Sequence, residues 1–142
     1  MTAPAPTDPD VIAWQALMEA HERVLTGIRA ALEPHGLSVS EFDVLAHLAP
    51  RESCRHADLA SRVILSRTAL TRLVDRLVAR GLVTRQPDAH DGRGVLVTLT
   101  PQGRRLRGAA LAANHRAVTA AMQSLTGEDV AVLDRLVRRL GR

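Results

Sequence analysis

The stretch Ser66–Gly81, SRTALTRLVDRLVARG, carries both of its own ends and two faces of opposite chemistry. The Ser66 hydroxyl can accept from the free N–H groups of a first helical turn, and Gly81 can take the left-handed conformation that closes a last one. At about 100° per residue, Leu70, Leu73, Val74, Leu77 and Val78 share one stripe, the pattern of a helix packed on a core. Thr68, Arg72, Asp75 and Arg76 occupy the opposite face. Thr71 lies on its flank, and Arg67 sits in the first turn, where a long side chain can swing outward. Most charged helix faces are simply solvated. A face of arginine and threonine also suits a DNA major groove, where arginine forks onto guanine and threonine meets bases or phosphates. The flanking sequence decides between the two.

Upstream, Asp8 or Asp10 can cap a long helix reaching about Glu33, after a proline-punctuated, frayed start. Its apolar residues, among them Val11, Trp14, Leu17, Met18, Val24, Leu25, Ile28 and Leu32, spread over more than one stripe, which implies contact with two bodies. Pro34 and Gly36 end it. Ser40 with Asp43 reads as the capping box of a second helix, whose buried side is Phe42, Val44, Leu45 and Leu48. A polar turn containing Cys54 leads to a third helix, roughly Arg55 to Arg62. The turn Val63-Ile64-Leu65 then delivers the chain to Ser66, which is helix-turn-helix spacing.

Downstream the period changes to that of strands. Leu82-Val83-Thr84-Arg85 and Val95-Leu96-Val97-Thr98-Leu99 are β-prone runs joined by the turn-rich QPDAHDGRG, a hairpin placed as a wing. Its tip carries Asp88, His90, Asp91 and Arg93. Gly92 and Gly94 flank the arginine and permit close approach to another surface, so Arg93 is placed to enter a minor groove. Thr100 caps a further helix with Pro101 in its first turn, running to about Leu125. Thr126 and Asp129 form a capping box for a last helix with the stripe Val130, Leu133, Leu136, Val137 and Leu140. Terminal helices with such surplus apolar surface are expected to pair with a second subunit.

The charge is as uneven as the hydropathy. The 142 residues carry a net charge of +4, yet Arg62 to Arg107 holds ten arginines against three acids, +7 in one third of the chain. That is the electrostatic footprint of a polyphosphate partner. Trp14 and Phe42 are the only aromatic residues, which argues against base stacking as a means of binding single strands. Cys54 stands alone, so no intrachain disulfide can form. The sequence shows no apolar run of membrane-spanning length and no export signal at its start, and the expectation is a cytoplasmic protein.

The run LSRTALTRLVDRLVARGLVTRQPDAHDGRGVLVTLTPQG resembles the winged helix of the MarR family of bacterial transcription regulators. The matching elements are S-R-x-x-x-T-R-L from Ser66, R-G-L-V from Arg80, D-x-R at Asp91 and Arg93, and V-x-L-T-x-x-G leading into the next helix. The resemblance extends over almost the whole chain. It implies one domain over residues 1–142, mainly α with a small β wing: a winged helix-turn-helix at 38–100, and dimerisation helices at 8–33 and 101–142. It implies a homodimer that sets two recognition helices in successive major grooves of a pseudo-palindromic operator on double-stranded DNA, with repression as the usual outcome.

Carried over residue by residue, Ser66, Arg67, Thr68, Thr71 and Arg72 contact the groove or nearby phosphates, Arg76 a phosphate, and Arg93 the minor groove. Asp91 orients Arg93, since a carboxylate facing phosphates is repelled. Asp75 orients Arg72 or Arg85, and Arg85 either binds phosphate or forms a structural ion pair. The resemblance also implies a small aromatic or anionic effector bound between the dimer helices and the winged helix. Trp14, Met18 and His21, with Asp43 and His47, are candidates to line its pocket, while their plainer reading is dimer core and surface histidines.

Other functions find less support in the residues. The histidines and Cys54 lack the close spacing of zinc ligands, so neither a metal nor another cofactor is expected. No P-loop, dinucleotide fingerprint, G-x-S-x-G turn or H-E-x-x-H occurs, and no enzyme is expected. A winged-helix adaptor that binds protein remains an alternative, and so does a redox-responsive regulator acting through Cys54. In the oxidant-responsive branch of the resembled family the sensing cysteine lies in the first helix, however, and Cys54 does not.

Overall fold

Ser66 caps its helix as its sequence predicts: the hydroxyl accepts from Ala69 N–H at 3.1 Å, α4 runs Arg67–Ala79, and Gly81 closes it with φ 71°. The computed structural model describes residues 7–141, so the expected frayed start lies largely outside the described residues. In chain order the elements are α1 (Pro9–Leu32), a 3-10 turn (Glu33–His35), α2 (Val39–His47), β1 (Cys54–Arg55), α3 (His56–Arg62) and α4. After these come β2 (Val83–Pro87), β3 (Val95–Leu99), α5 (Pro101–Met122) and α6 (Gly127–Val137).

Leu70, Leu73, Val74 and Leu77 of α4 are buried, and Val78 packs against the same core from a half-buried position. They meet Phe42, Val44, Leu45 and Leu48 from α2, Leu59 and Val63 from α3 and its end, and Val83, Val97 and Leu99 from the sheet. The core is therefore centred on the helix-turn-helix and wing, with Leu32 of α1 and Ala110 of α5 closing it from the terminal helices. Truncating one of its fully buried leucines removes transfer energy and leaves a cavity, together costing about 2–5 kcal/mol.

Two readings are corrected. The second helix is capped by Ser38 and not Ser40: Ser38 Oγ accepts from Glu41 N–H at 3.1 Å, and Glu41 Oε2 accepts from Ser38 N–H at 3.1 Å. The polar turn around Cys54 is partly a strand. Cys54 and Arg55 pair antiparallel with Val97 and Leu96, so the wing is a three-stranded sheet in the order β1-β3-β2.

α1 lies along α5. Asp8 caps α1, Thr100 caps α5 by accepting from Gly103 N–H at 3.0 Å, and the Thr126–Asp129 box caps α6 as expected. α6 buries no residue, and Val130, Val132, Leu136 and Leu140 are exposed, as are Val11, Ile12, Trp14 and Met18 on α1. Among the described residues no helix is long and apolar enough to cross a membrane.

Candidate nucleic-acid interface

Ser66, Arg67, Thr68, Thr71, Arg72, Arg76, Arg85 and Arg93 are all exposed. They divide by what holds them. Among the described residues Arg67, Arg72 and Arg93 make no ion pair. Arg76 Nε lies 3.8 Å from Glu41 Oε1, and Arg85 is hydrogen-bonded to Asp75. Of the two partners the sequence offered for Asp75, the structure selects Arg85, which ties β2 to the outer face of α4. Glu41, a residue to which the sequence reading gave no role, does three things at once. It completes the α2 cap, takes Arg80 Nη1 at 3.0 Å and sits beside Arg76, anchoring the C-terminal half of α4 to α2. The S-x-x-E spacing of Ser38 and Glu41 was the signal that could have found it.

The first turn of α4 is set by its own side chains. Thr71 Oγ1 donates to Arg67 O at 2.9 Å and lies 3.5 Å from His56 Nε2 at the start of α3. Burial, then the Arg85 and Arg67 guanidinium groups, lower the His56 pKa below its ordinary 6.5, with Asp75 opposing. The cationic surroundings thus favour the neutral form of the His56 ring.

The wing tip folds upon itself. Asp88 N–H donates to Gly94 O at 2.9 Å, Gly94 N–H to Asp91 O at 2.9 Å and Asp91 N–H to Asp88 O at 3.3 Å. Asp91 Oδ1 accepts the backbone N–H of Arg93 at 3.2 Å. It therefore fixes the main chain at Arg93, and among the described residues it makes no ion pair with the guanidinium. Asp88, read from sequence only as part of a charged tip, is the buried one, its side chain 3% exposed. Oδ1 accepts from His90 N–H at 2.9 Å, and Oδ2 lies 3.0 Å from Arg55 Nε, outside hydrogen-bond geometry. The His90 N–H holds the Asp88 carboxyl below the usual range against the opposing effect of burial, and the Arg55 cation adds to the lowering. No local pattern announces this burial, because Arg55 lies 33 positions away. Arg67 and Arg93 border one cleft of about 270 Å³, together with Arg55, His56 and the carboxylates Asp58 and Asp91, so the wing tip and the start of α4 share one rim in which arginines outnumber acids.

The remaining candidates lie elsewhere. Trp14, Met18 and His21 are exposed on α1, whereas His47 pairs with Asp43 at 3.3 Å on α2 and lines a cleft with Cys54, Arg62 and His90. Cys54 is half-buried, and burial raises its thiol pKa, which leaves less thiolate for oxidation at neutral pH. Among the described residues no cluster of three or more His, Cys, Asp or Glu side chains is arranged to hold a metal ion.

Comparison with known proteins gives the same picture. The sequence model described as the MarR family matches residues 35–94. The chain is 33% identical over 116 residues to the multiple antibiotic resistance protein MarR of Escherichia coli K12, covering 77% of this chain and 76% of that protein. It is 30% identical over 114 residues to an HTH-type transcriptional repressor of Mycobacterium bovis, covering 80% and 82%. A solved structure of a mutant MarR from E. coli complexed with operator DNA superposes with a TM-score of 0.85 at 25% identity, over 97% of this chain and 100% of that one.

Proposed function

The chain belongs to the MarR family, and we propose on that premise that it acts as a homodimeric transcriptional repressor binding a pseudo-palindromic operator. The observation that carries the reading is the set Arg67, Arg72 and Arg93: three exposed guanidinium groups that make no ion pair among the described residues, on the first half of α4 and on the wing tip. An arginine already paired gives up part of its field to its partner, whereas an unpaired one keeps its whole charge and all five donors for DNA.

In this reading Arg72 forks onto a base edge in the major groove, with Arg67, Thr68 and Thr71 around it. Ser66, whose oxygen lone pair is engaged as the cap, keeps its hydroxyl proton for a phosphate. Arg93 enters the minor groove, held in place by Asp91 through the backbone. Arg76 and Arg85, tied to Glu41 and Asp75, add to the phosphate field without reading sequence. The exposed apolar faces of α1 and α6 are assigned to the second subunit, and residues 38–100 to DNA.

Control by a small aromatic or anionic effector fits the same architecture. A ligand that binds one spacing of the two recognition helices better than another shifts operator affinity by that difference. Trp14, Met18, His21, Asp43 and His47 stay its candidate residues, and a second subunit packed on α1 is what would close a pocket over the first three.

Selecting fragments of the organism's genomic DNA on the purified protein tests the proposal, with sedimentation velocity run alongside. A dimer that enriches inverted repeats, with affinity falling steeply as salt rises, is the expected result. A stable monomer, or a protein that retains no duplex at low ionic strength, would overturn it. A shallow salt dependence with a protein partner would point to the adaptor reading.

A further inference from the structure

A buried carboxylate in a seven-residue loop at the surface needs a reason, because taking a charge out of water is costly unless its position repays it. Asp88 is such a group. Its N–H closes the loop onto Gly94 O and its carbonyl accepts from Asp91 N–H, its Oδ1 holds His90, and its Oδ2 faces the guanidinium of Arg55 at 3.0 Å. Arg55 is not part of the hairpin that carries the tip: it ends β1 and is the N-cap of α3. The loop is packed tightly at this point, since a β-carbon added to Gly94 would lie 3.0 Å from Asp88 Cβ and 3.4 Å from its Oδ2.

We propose that Asp88 is a positioning residue for DNA recognition, latching the wing tip to the start of the helix-turn-helix through Arg55 so that Arg93 stands at a fixed distance from α4. The inference rests on the reading of the chain as a DNA-binding protein and goes beyond it in naming what sets the wing. Asp88 itself touches no DNA; buried and negative, it acts through Arg93. β1 pairs with β3 only at Leu96 and Val97, so among the described residues the tip beyond Val95 has no main-chain bond to the start of the helix-turn-helix. Arg55 supplies the missing tie. It stays half exposed, so its charge is available to hold the carboxylate without being entombed with it.

The test is a double-mutant cycle on the operator duplex recovered with the wild-type protein. Asp88→Asn keeps the shape and an acceptor for His90 N–H, but removes the charge that holds Arg55. It is expected to weaken operator binding by about tenfold, the effect of losing one good contact. The loss should fall on duplexes that include the minor-groove flanks and be absent on duplexes cut short of them. In an Arg93→Ala background the same substitution should change affinity less than twofold, by the cycle logic for residues acting through one contact. Equal losses in both backgrounds, or wild-type affinity for Asp88→Asn, would overturn the proposal. Should Asp88→Asn fail to fold by circular dichroism, Arg55→Gln, altered at a half-exposed site, takes its place in the cycle with the same two outcomes. If the wild-type protein recovers no operator, the DNA-binding reading itself fails, which is a distinct result.

Discussion

Gly103 faces the Leu82 carbonyl so closely that a β-carbon in place of its hydrogen would lie 1.9 Å from that oxygen. The backbone on neither side can yield cheaply. Thr100 N–H donates to the same carbonyl at 3.0 Å, and Thr100 Oγ1 donates to Gly81 O at 2.6 Å, so the first turn of α5 is stitched to the end of α4 and the start of β2. Alanine improves helix propensity by about 1 kcal/mol, yet the overlap is with backbone and outweighs it. Gly103→Ala is expected to cost roughly 1–3 kcal/mol net, the usual range for overpacking. A lower urea midpoint at unchanged m-value would register it, and an unchanged midpoint would show that this contact tolerates a methyl group.

Arg107 links the terminal helices to the winged helix in a different way. From α5 its Nε donates to Leu45 O at 3.1 Å and its Nη2 to Ala46 O at 3.2 Å, satisfying two carbonyls at the C-terminal end of α2. Charge-assisted bonds to helix-end carbonyls also meet the negative end of the helix dipole. Arg107→Met keeps most of the apolar stem and removes the donors, so about 1.5–3 kcal/mol of stability should go with it. Chemical denaturation at fixed protein concentration measures the loss; a change under about 0.5 kcal/mol would mean that water replaces the guanidinium without penalty.

The parts of the architecture that the sequence made legible are those written within a few residues. Ser66, Gly81, Thr100 and the Thr126–Asp129 box each act on neighbours three or four positions away, and the α4 stripe follows from helical period alone. What was misread depends on distant partners. Ser38 is the exception, since its S-x-x-E box with Glu41 is local and competes with the Ser40–Asp43 spacing two residues on. Cys54 and Arg55 form a strand only because β3 offers them an edge, and two residues have no period of their own. Arg76 looked free until the fold brought Glu41 to it, and of the two partners open to Asp75 it is Arg85 that the fold supplies.

That distinction separates two arginines one turn apart. Arg72, unpaired among the described residues, should lose about 1–3 kcal/mol of operator affinity on substitution by alanine and relax preference at one base position in each half-site. Arg76, held near Glu41 at 3.8 Å, should lose less, and by the same amount on every duplex, because a phosphate contact carries no base information. Binding-site selection with the two variants compares them directly. Identical changes in the selected motif would remove the reason for placing Arg72 in the groove.

His56 gives the interface a dependence on pH whose sign is fixed by its surroundings. In the free protein, burial and the guanidinium groups of Arg85 and Arg67 hold its pKa below 6.5, so the folded state binds its proton less readily than the unfolded chain. Stability from this site is complete above about pH 6.5 and is lost as pH falls through the lowered folded value. DNA reverses the balance. Phosphates drawn to Arg67, Arg93 and Arg85 neutralise the cations that suppress the imidazolium and favour the charged ring directly. Operator binding should therefore take up a proton, and affinity should rise as pH falls toward the range in which the ring gains its charge. Histidine resonances followed by NMR with and without operator would show the His56 midpoint moving upward in the complex. His56→Gln should flatten that part of the pH profile, and a midpoint that stays low on DNA would place the ring away from the phosphates.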